Sequence, residues 1–139
     1  MFERILVAYH GTDRALKAFD AAVQMAHRWD MPLHMVSVEE NIPRSAELIS
    51  EVEDAKQEGD ARYREVAERA KRRAALHGVA LECAVVVGKR ERAIIDFLNK
   101  GRFDLLVIGE SRPSLSGLLF GSPSNRLTNL APCSVLVVK

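Results

Sequence analysis

Five short apolar runs, separated by segments of helical periodicity, constrain this chain more than any other feature of its sequence. They are "ILVAY" (5–9), "PLHMVSV" (32–38), "LECAVVV" (81–87), "DLLVIG" (104–109) and "SVLVV" (134–138). None alternates strictly between apolar and polar residues. A strand with one wet face must alternate, because successive side chains point to opposite sides of a sheet. A continuous run instead suits a strand covered on both faces, as in a parallel sheet between two helical layers.

The intervening segments supply the helices. In "TDRALKAFDAAVQMAHRW" (12–29), Leu16, Phe19, Ala22, Val23 and Ala26 recur at spacings of three and four, with Thr12 or Asp13 as N-cap. A longer, heavily charged helix is expected over roughly 45–77. Leu48, Val52, Ala55, Tyr63, Val66, Ala67, Ala70 and Ala74 form its apolar seam, and Glu51, Glu53, Lys56, Arg62, Arg64, Glu65 and Arg69 face water. Gly59 marks an expected break or loosened turn there, since glycine costs about 1 kcal/mol in a helix interior. A third helix spans about 90–100, with Ala93, Ile94, Phe97 and Leu98 inward and Gly101 as its terminating glycine. The fourth opens at "SPSNRLTNL", where Ser122 then Pro123 reads as N-cap and first helical residue.

The order βαβαβαβαβ, with right-handed crossovers, predicts an α/β fold: a doubly wound, five-stranded, mainly parallel sheet of order 3-2-1-4-5 with helices on both faces. At 139 residues the chain is expected to be one domain. Ligands of such sheets bind beyond the carboxyl ends of the strands where the winding reverses. Here the reversal lies between the first and fourth strands, so the loops beginning at Tyr9 and Gly109 should share one crevice.

Charge and cysteine content exclude several classes. Twenty basic and nineteen acidic residues leave a formal charge of +1, so no global field draws nucleic acid or an anionic membrane, and any anion must be held locally. Cys83 and Cys133 stand fifty residues apart, without metal-ligand spacing, and read as reduced thiols acting as small buried hydrophobes. No stretch approaches the length of a membrane span and no signal layout opens the chain, so a soluble, cytoplasmic protein is expected.

The two loops carry the candidate chemistry. In "YHGTD" (9–13), Gly11 permits an unusual backbone turn, Thr12 and Asp13 can cap the helix or touch a ligand, and His10 is a titratable group just past a central strand. This loop lacks both GxGxxG and GxxxxGK[ST]. The second loop, "GESRPSLSGLLFGS" (109–122), is richer. Gly109 lets the chain turn off its strand, Gly121 and Ser122 stand at a helix N-terminus, and Ser111, Arg112, Ser114 and Ser116 lie between. Backbone N–H groups, hydroxyls and one guanidinium suit a phosphate cradle. A polar surface loop that binds only water fits the same residues. Glu110 could hold Mg²⁺ or orient a water, and a solvated carboxylate is the plainer reading.

Over essentially its whole length the chain resembles the universal stress protein family. The resemblance rests on "RILVAYHGTD", on "VVVGKRERAI" and on "DLLVIGESRPSLSGLLFGSPSNRLTNLAPCSVLVV". It implies the five-stranded sheet inferred above and a homodimer paired through the last strands, for which the edge of "SVLVVK" is suited. ATP-binding members share a G-x2-G-x9-G-[ST] pattern. Gly109 takes its first glycine and Gly121 with Ser122 its final pair. Arg112 occupies the second glycine position, eight rather than nine residues then intervene, and His10 stands where the family usually carries an aspartate.

The resemblance therefore implies a stress-related binding or signalling domain whose ligand is an adenine nucleotide, with ATP and Mg²⁺ as the candidates. The nucleotide-contacting positions it points to are His10, Gly11, Thr12, Val38, Gly109, Ser111, Arg112, Gly121 and Ser122. A dimeric stress protein that holds no nucleotide and a weak ATPase are the alternatives. No paired-carboxylate, Ser-His-Asp or metal-ligand constellation is recognisable in the sequence, which weighs against the ATPase.

Overall fold

The structure is a computed structural model that describes residues 2–40, 49–110 and 123–139, with side chains of the second helix described from residue 61 and those of the fourth from residue 124. Its elements run β1 (Ile5–Ala8), α1 (Asp13–Arg28), β2 (Leu33–Glu39), α2 (Ile49–Ala75), β3 (Leu81–Val87), α3 (Arg90–Gly101), β4 (Leu105–Gly109), α4 (Pro123–Leu130) and β5 (Ser134–Val138). The strands form one sheet of order β3-β2-β1-β4-β5, and every pairing is parallel. This is the doubly wound arrangement expected from the sequence.

The pleat explains why the central runs do not alternate. Ile5 and Val7 of β1 face a core completed by Leu33 and Met35 of β2, Phe19, Ala22 and Val23 of α1, and Ala70 and Ala74 of α2. Leu6 and Ala8 point the other way, into a second core with Val36, Val38, Leu106 and Ile108, closed by Ile94 and Leu98 of α3 and Leu127 of α4. Both faces of β1, β2 and β4 are buried, so both sets of alternating positions must be apolar. The edge strands depart from that expectation. In β3, Val85 is 45% exposed and Val87 67%, and in β5 Leu136 is 38% exposed, because an edge strand has a neighbour on one side only.

The helices follow their periodicity with three corrections. Leu16 is only half-buried, and Ala15 and Ala18 complete the inner face of α1. The helix α2 passes through Gly59 without a break, so glycine's propensity cost does not interrupt a 27-residue helix. Residues 45–48, including Leu48, and the side chains of Glu51, Val52, Glu53, Ala55 and Lys56 lie outside the described residues.

Third, Gly101 does not terminate α3 by turning left-handed. It is the last helical residue, and Arg102 takes the left-handed conformation at φ 51°, with its N–H donating to the Asn99 carbonyl. Gly101 is small for another reason: a Cβ there would overlap the Phe103 ring. That ring stacks on Phe97 and lies 4.8 Å below the Arg4 guanidinium.

α1 and α2 are clamped by one ion pair. Arg73 donates from Nε and Nη2 to the two carboxylate oxygens of Asp20 at 2.6 and 2.8 Å. A planar fork on a carboxylate fixes relative orientation as well as distance. Cys83 and Cys133 are free and half-buried, and burial pushes both thiols above the ordinary range. Among the described residues no helix is long and apolar enough to cross a membrane.

Candidate functional site

The carboxyl ends of β1 and β4 bring the two expected loops together. β1 continues one residue past its assigned end, because the Tyr9 N–H donates to the Val36 carbonyl at 3.0 Å. The Tyr9 carbonyl accepts from the Ser37 hydroxyl at 2.6 Å, tying the turn to β2. The chain then reverses through His10 and Gly11, whose φ of +96° is one that side-chain-bearing residues rarely adopt. Thr12 closes the turn as N-cap of α1: its Oγ1 accepts from the Ala15 N–H at 3.3 Å. Asp13, the alternative cap, is the first helical residue, where its charge complements the helix dipole.

Gly109 plays a different part from the one expected. Its φ is not positive, and a Cβ on it would lie 3.4 Å from both the Ala15 Cα and the Arg14 carbonyl oxygen. Glycine there lets the first turn of α1 pass close over the end of β4. The Glu110 N–H then donates to the Val138 carbonyl at 3.0 Å, holding the chain against β5 as it leaves the sheet.

Between these turns lies a crevice of about 350 Å³ lined by His10, Thr12, Arg14, Ala15, Arg90, Gly109 and Glu110. Of the positions singled out in the sequence, His10, Thr12 and Gly109 are brought together here, and Gly11 lies in the turn between the first two. Val38 is elsewhere: its side chain is buried in the α3-side core and its carbonyl accepts from the Tyr63 hydroxyl at 3.1 Å. Ser111, Arg112, Ser114, Ser116, Gly121 and Ser122 lie outside the described residues.

Arg14 and Arg90 were not anticipated as lining residues. Arg90 opens α3 just after Gly88, whose φ of 144° turns the chain off β3 and whose N–H donates to the Glu39 carbonyl at 3.1 Å. The signal for it was present in "VVVGKRER", a cluster of cations at a strand's carboxyl end. A doubly wound sheet gathers all such ends on one side.

His10 is the most unusual group in the crevice. Among the described residues its buried Nδ1 has no hydrogen-bond partner, an arrangement native proteins mostly avoid. Burial lowers its pKa below the ordinary 6.5, and the positive charges of Arg90 and Arg62 lower it further against the opposing pull of Glu40. His34, beside Glu82 and edge-on to Phe103, is also lowered, again chiefly by burial.

A pH dependence of stability follows. Below the ordinary histidine pKa the unfolded chain binds protons that the folded chain resists, so these two groups remove stability as pH falls through and below about 6.5. Urea denaturation should show the unfolding free energy declining from pH 7 toward pH 5, and His10→Gln with His34→Gln should flatten that decline. A slope unaltered by both substitutions would refute this source.

Comparison with known proteins decides the family. The sequence matches the universal stress protein family over residues 1–139. This chain belongs to that family. Universal stress protein MJ0531 of Methanocaldococcus jannaschii is 30% identical, with all of this chain and 83% of the relative covered. A universal stress protein of Thermus aquaticus is 34% identical with both chains fully covered.

Solved structures agree in fold. A universal stress protein in complex with cAMP superposes with a TM-score of 0.79 at 24% identity, covering 99% of this chain and 97% of that one. A family member from Arabidopsis thaliana with AMP bound gives 0.70 at 20%, covering 98% and 90%. The universal stress protein of Archaeoglobus fulgidus in complex with dAMP gives 0.65 at 21%, covering 98% and 97%.

Proposed function

We propose that this universal stress protein is a binding domain for an adenine nucleotide, held in the crevice between the β1 and β4 loops. The observation that carries this reading is the crevice itself, at the strand-order reversal, lined by His10, whose buried Nδ1 has no partner among the described residues. A buried polar atom without a partner is costly until something hydrogen-bonds to it. Structural relatives that hold cAMP, AMP and dAMP support an adenine nucleotide as that partner.

ATP is the larger candidate, supported by Gly109, Gly121 and Ser122 at the ends of the family's glycine pattern. Glu110, exposed at the rim of the crevice, is the described carboxylate available to a nucleotide-bound Mg²⁺. Nothing in this reading requires turnover: the crevice binds and reports rather than hydrolyses. The working form is a homodimer, built by pairing the free edges of two β5 strands. The unpaired edge of β5 and the exposed Leu136 support that geometry.

Calorimetric titration of nucleotide-stripped protein with ATP, ADP and AMP, with and without Mg²⁺, should give saturable binding of at least one of them. No heat from any at millimolar concentration would overturn the nucleotide reading. Sedimentation should give a dimer, and a monomer at every concentration would overturn the assembly.

A further inference from the structure

The lining of the crevice is unbalanced in charge. Arg14 from the first turn of α1, Arg90 from the first residue of α3 and His10 from the β1–α1 turn converge on it, with Glu110 as the described carboxylate among the lining residues. Elsewhere among the described residues, Arg69 pairs with Glu65, Arg73 with Asp20 and Arg126 with Glu91. Among the described residues, neither Arg14 nor Arg90 forms an ion pair. Guanidinium groups are charged at every relevant pH, so two unpaired ones facing one concavity repel each other and are relieved by an anion placed between them.

We propose that the crevice recognises its ligand through a phosphate monoester dianion seated against Arg14, Arg90 and His10. The inference rests on the nucleotide reading of the same crevice and specifies which group of the ligand is recognised and by what. Guanidinium groups bind phosphate oxygens through charge-assisted hydrogen bonds, and the imidazole Nδ1, without a partner among the described residues, supplies one more polar contact.

The seat has a proton linkage built into it. The charged groups acting on His10 are Arg90 from α3, Arg62 from α2 and Glu40 after β2, with Arg14 and Glu110 across the crevice. In the free protein burial, and after it the positive charges of Arg90 and Arg62, disfavour the imidazolium. A dianion beside it offsets the arginines and favours the imidazolium, so the complex takes up a proton that the free protein does not hold. Affinity then rises as pH falls through the neutral range. Below about 6 the ligand's phosphate is itself protonated and the gain ends.

Calorimetry with AMP, adenosine and inorganic pyrophosphate tests the seat, in wild type, Arg90→Gln, His10→Asn and the control Arg92→Gln. Arg92 is exposed and lies outside the crevice, so its substitution removes the same charge from the same helix without touching the seat. AMP should bind at least about tenfold more tightly than adenosine, and Arg90→Gln should weaken AMP by about tenfold or more, while Arg92→Gln leaves AMP unchanged. Repeating the titration in buffers of different ionisation enthalpy should show proton uptake that His10→Asn abolishes.

AMP binding that is indifferent to Arg90→Gln, or no tighter than adenosine, overturns the phosphate seat and leaves the nucleotide reading standing. Pyrophosphate binding that depends on Arg90, with no binding of AMP, ADP or ATP, keeps the seat and overturns the nucleotide reading. Absence of binding by all three probes overturns the seat, and the nucleotide reading falls with it where ATP and ADP also give no heat.

Discussion

Phe19→Ala is expected to lower the free energy of unfolding by about 3–5 kcal/mol. Phe19 is fully buried on the inner face of α1 and is the largest completely buried side chain among the described residues. It belongs to the core formed by β1, β2, β4, α1 and α2, so truncation opens a void where five elements meet. Its ring also stacks on Tyr9 with centroids 5.0 Å apart, and Tyr9 immediately precedes His10. The loss would remove much of the roughly 5–15 kcal/mol that holds a domain of this size together. Urea denaturation with an unchanged slope should report it as a shifted midpoint. A cost below about 1 kcal/mol would show that the neighbouring side chains collapse into the space, contrary to close packing at this site.

Gly11→Ala should be strongly destabilising for a single-methyl change, and it strikes fold and site together. Two costs add. A side-chain-bearing residue at φ +96° is strained by about 1–2 kcal/mol. The new Cβ would also lie 2.9 Å from the Val66 Cγ2, a distance real Cβ atoms essentially never show, which adds an overpacking cost of about 1–3 kcal/mol. Gly78 separates the two terms. Its φ is +71° and a Cβ there meets nothing within 4 Å, so Gly78→Ala carries the backbone term alone. Gly11→Ala should therefore be the more destabilising of the pair, and Val66→Ala should partly rescue it. Equal losses for the two alanines, with no rescue, would remove Val66 from the account. Nucleotide binding should weaken in Gly11→Ala as well, because the turn that presents His10 and Thr12 must shift to make room.

These cases mark where local pattern reads correctly and where it misleads. The apolar runs identify all five strands, since burial on both faces forces apolar residues at successive positions of β1, β2 and β4. Thr12 is legible as a cap because capping is a contact between residues three apart. Glycine is legible as small but not in its purpose. Gly101 and Gly109 both read as turn residues, yet neither has a positive φ, and each makes room for a ring or a helix that the chain brings back from elsewhere. Gly59 reads as a break and lies within a continuous helix.

The site divides along the same line. That the loops after β1 and β4 meet follows from element order and the handedness of crossovers, both readable along the chain. That Arg90, eighty residues beyond His10, lowers its pKa and lines the same crevice depends on where the β3–α3 turn is carried. By itself the sequence determined the strand order, the burial of both sheet faces and the position of the crevice, because these follow from periodicity, chirality and the need to bury apolar surface. Only the tertiary structure decided the charge of the crevice, the burial of the His10 nitrogen and the true roles of Gly101 and Gly109. Those properties belong to pairs of residues distant in sequence, and packing rather than local preference brings such pairs together.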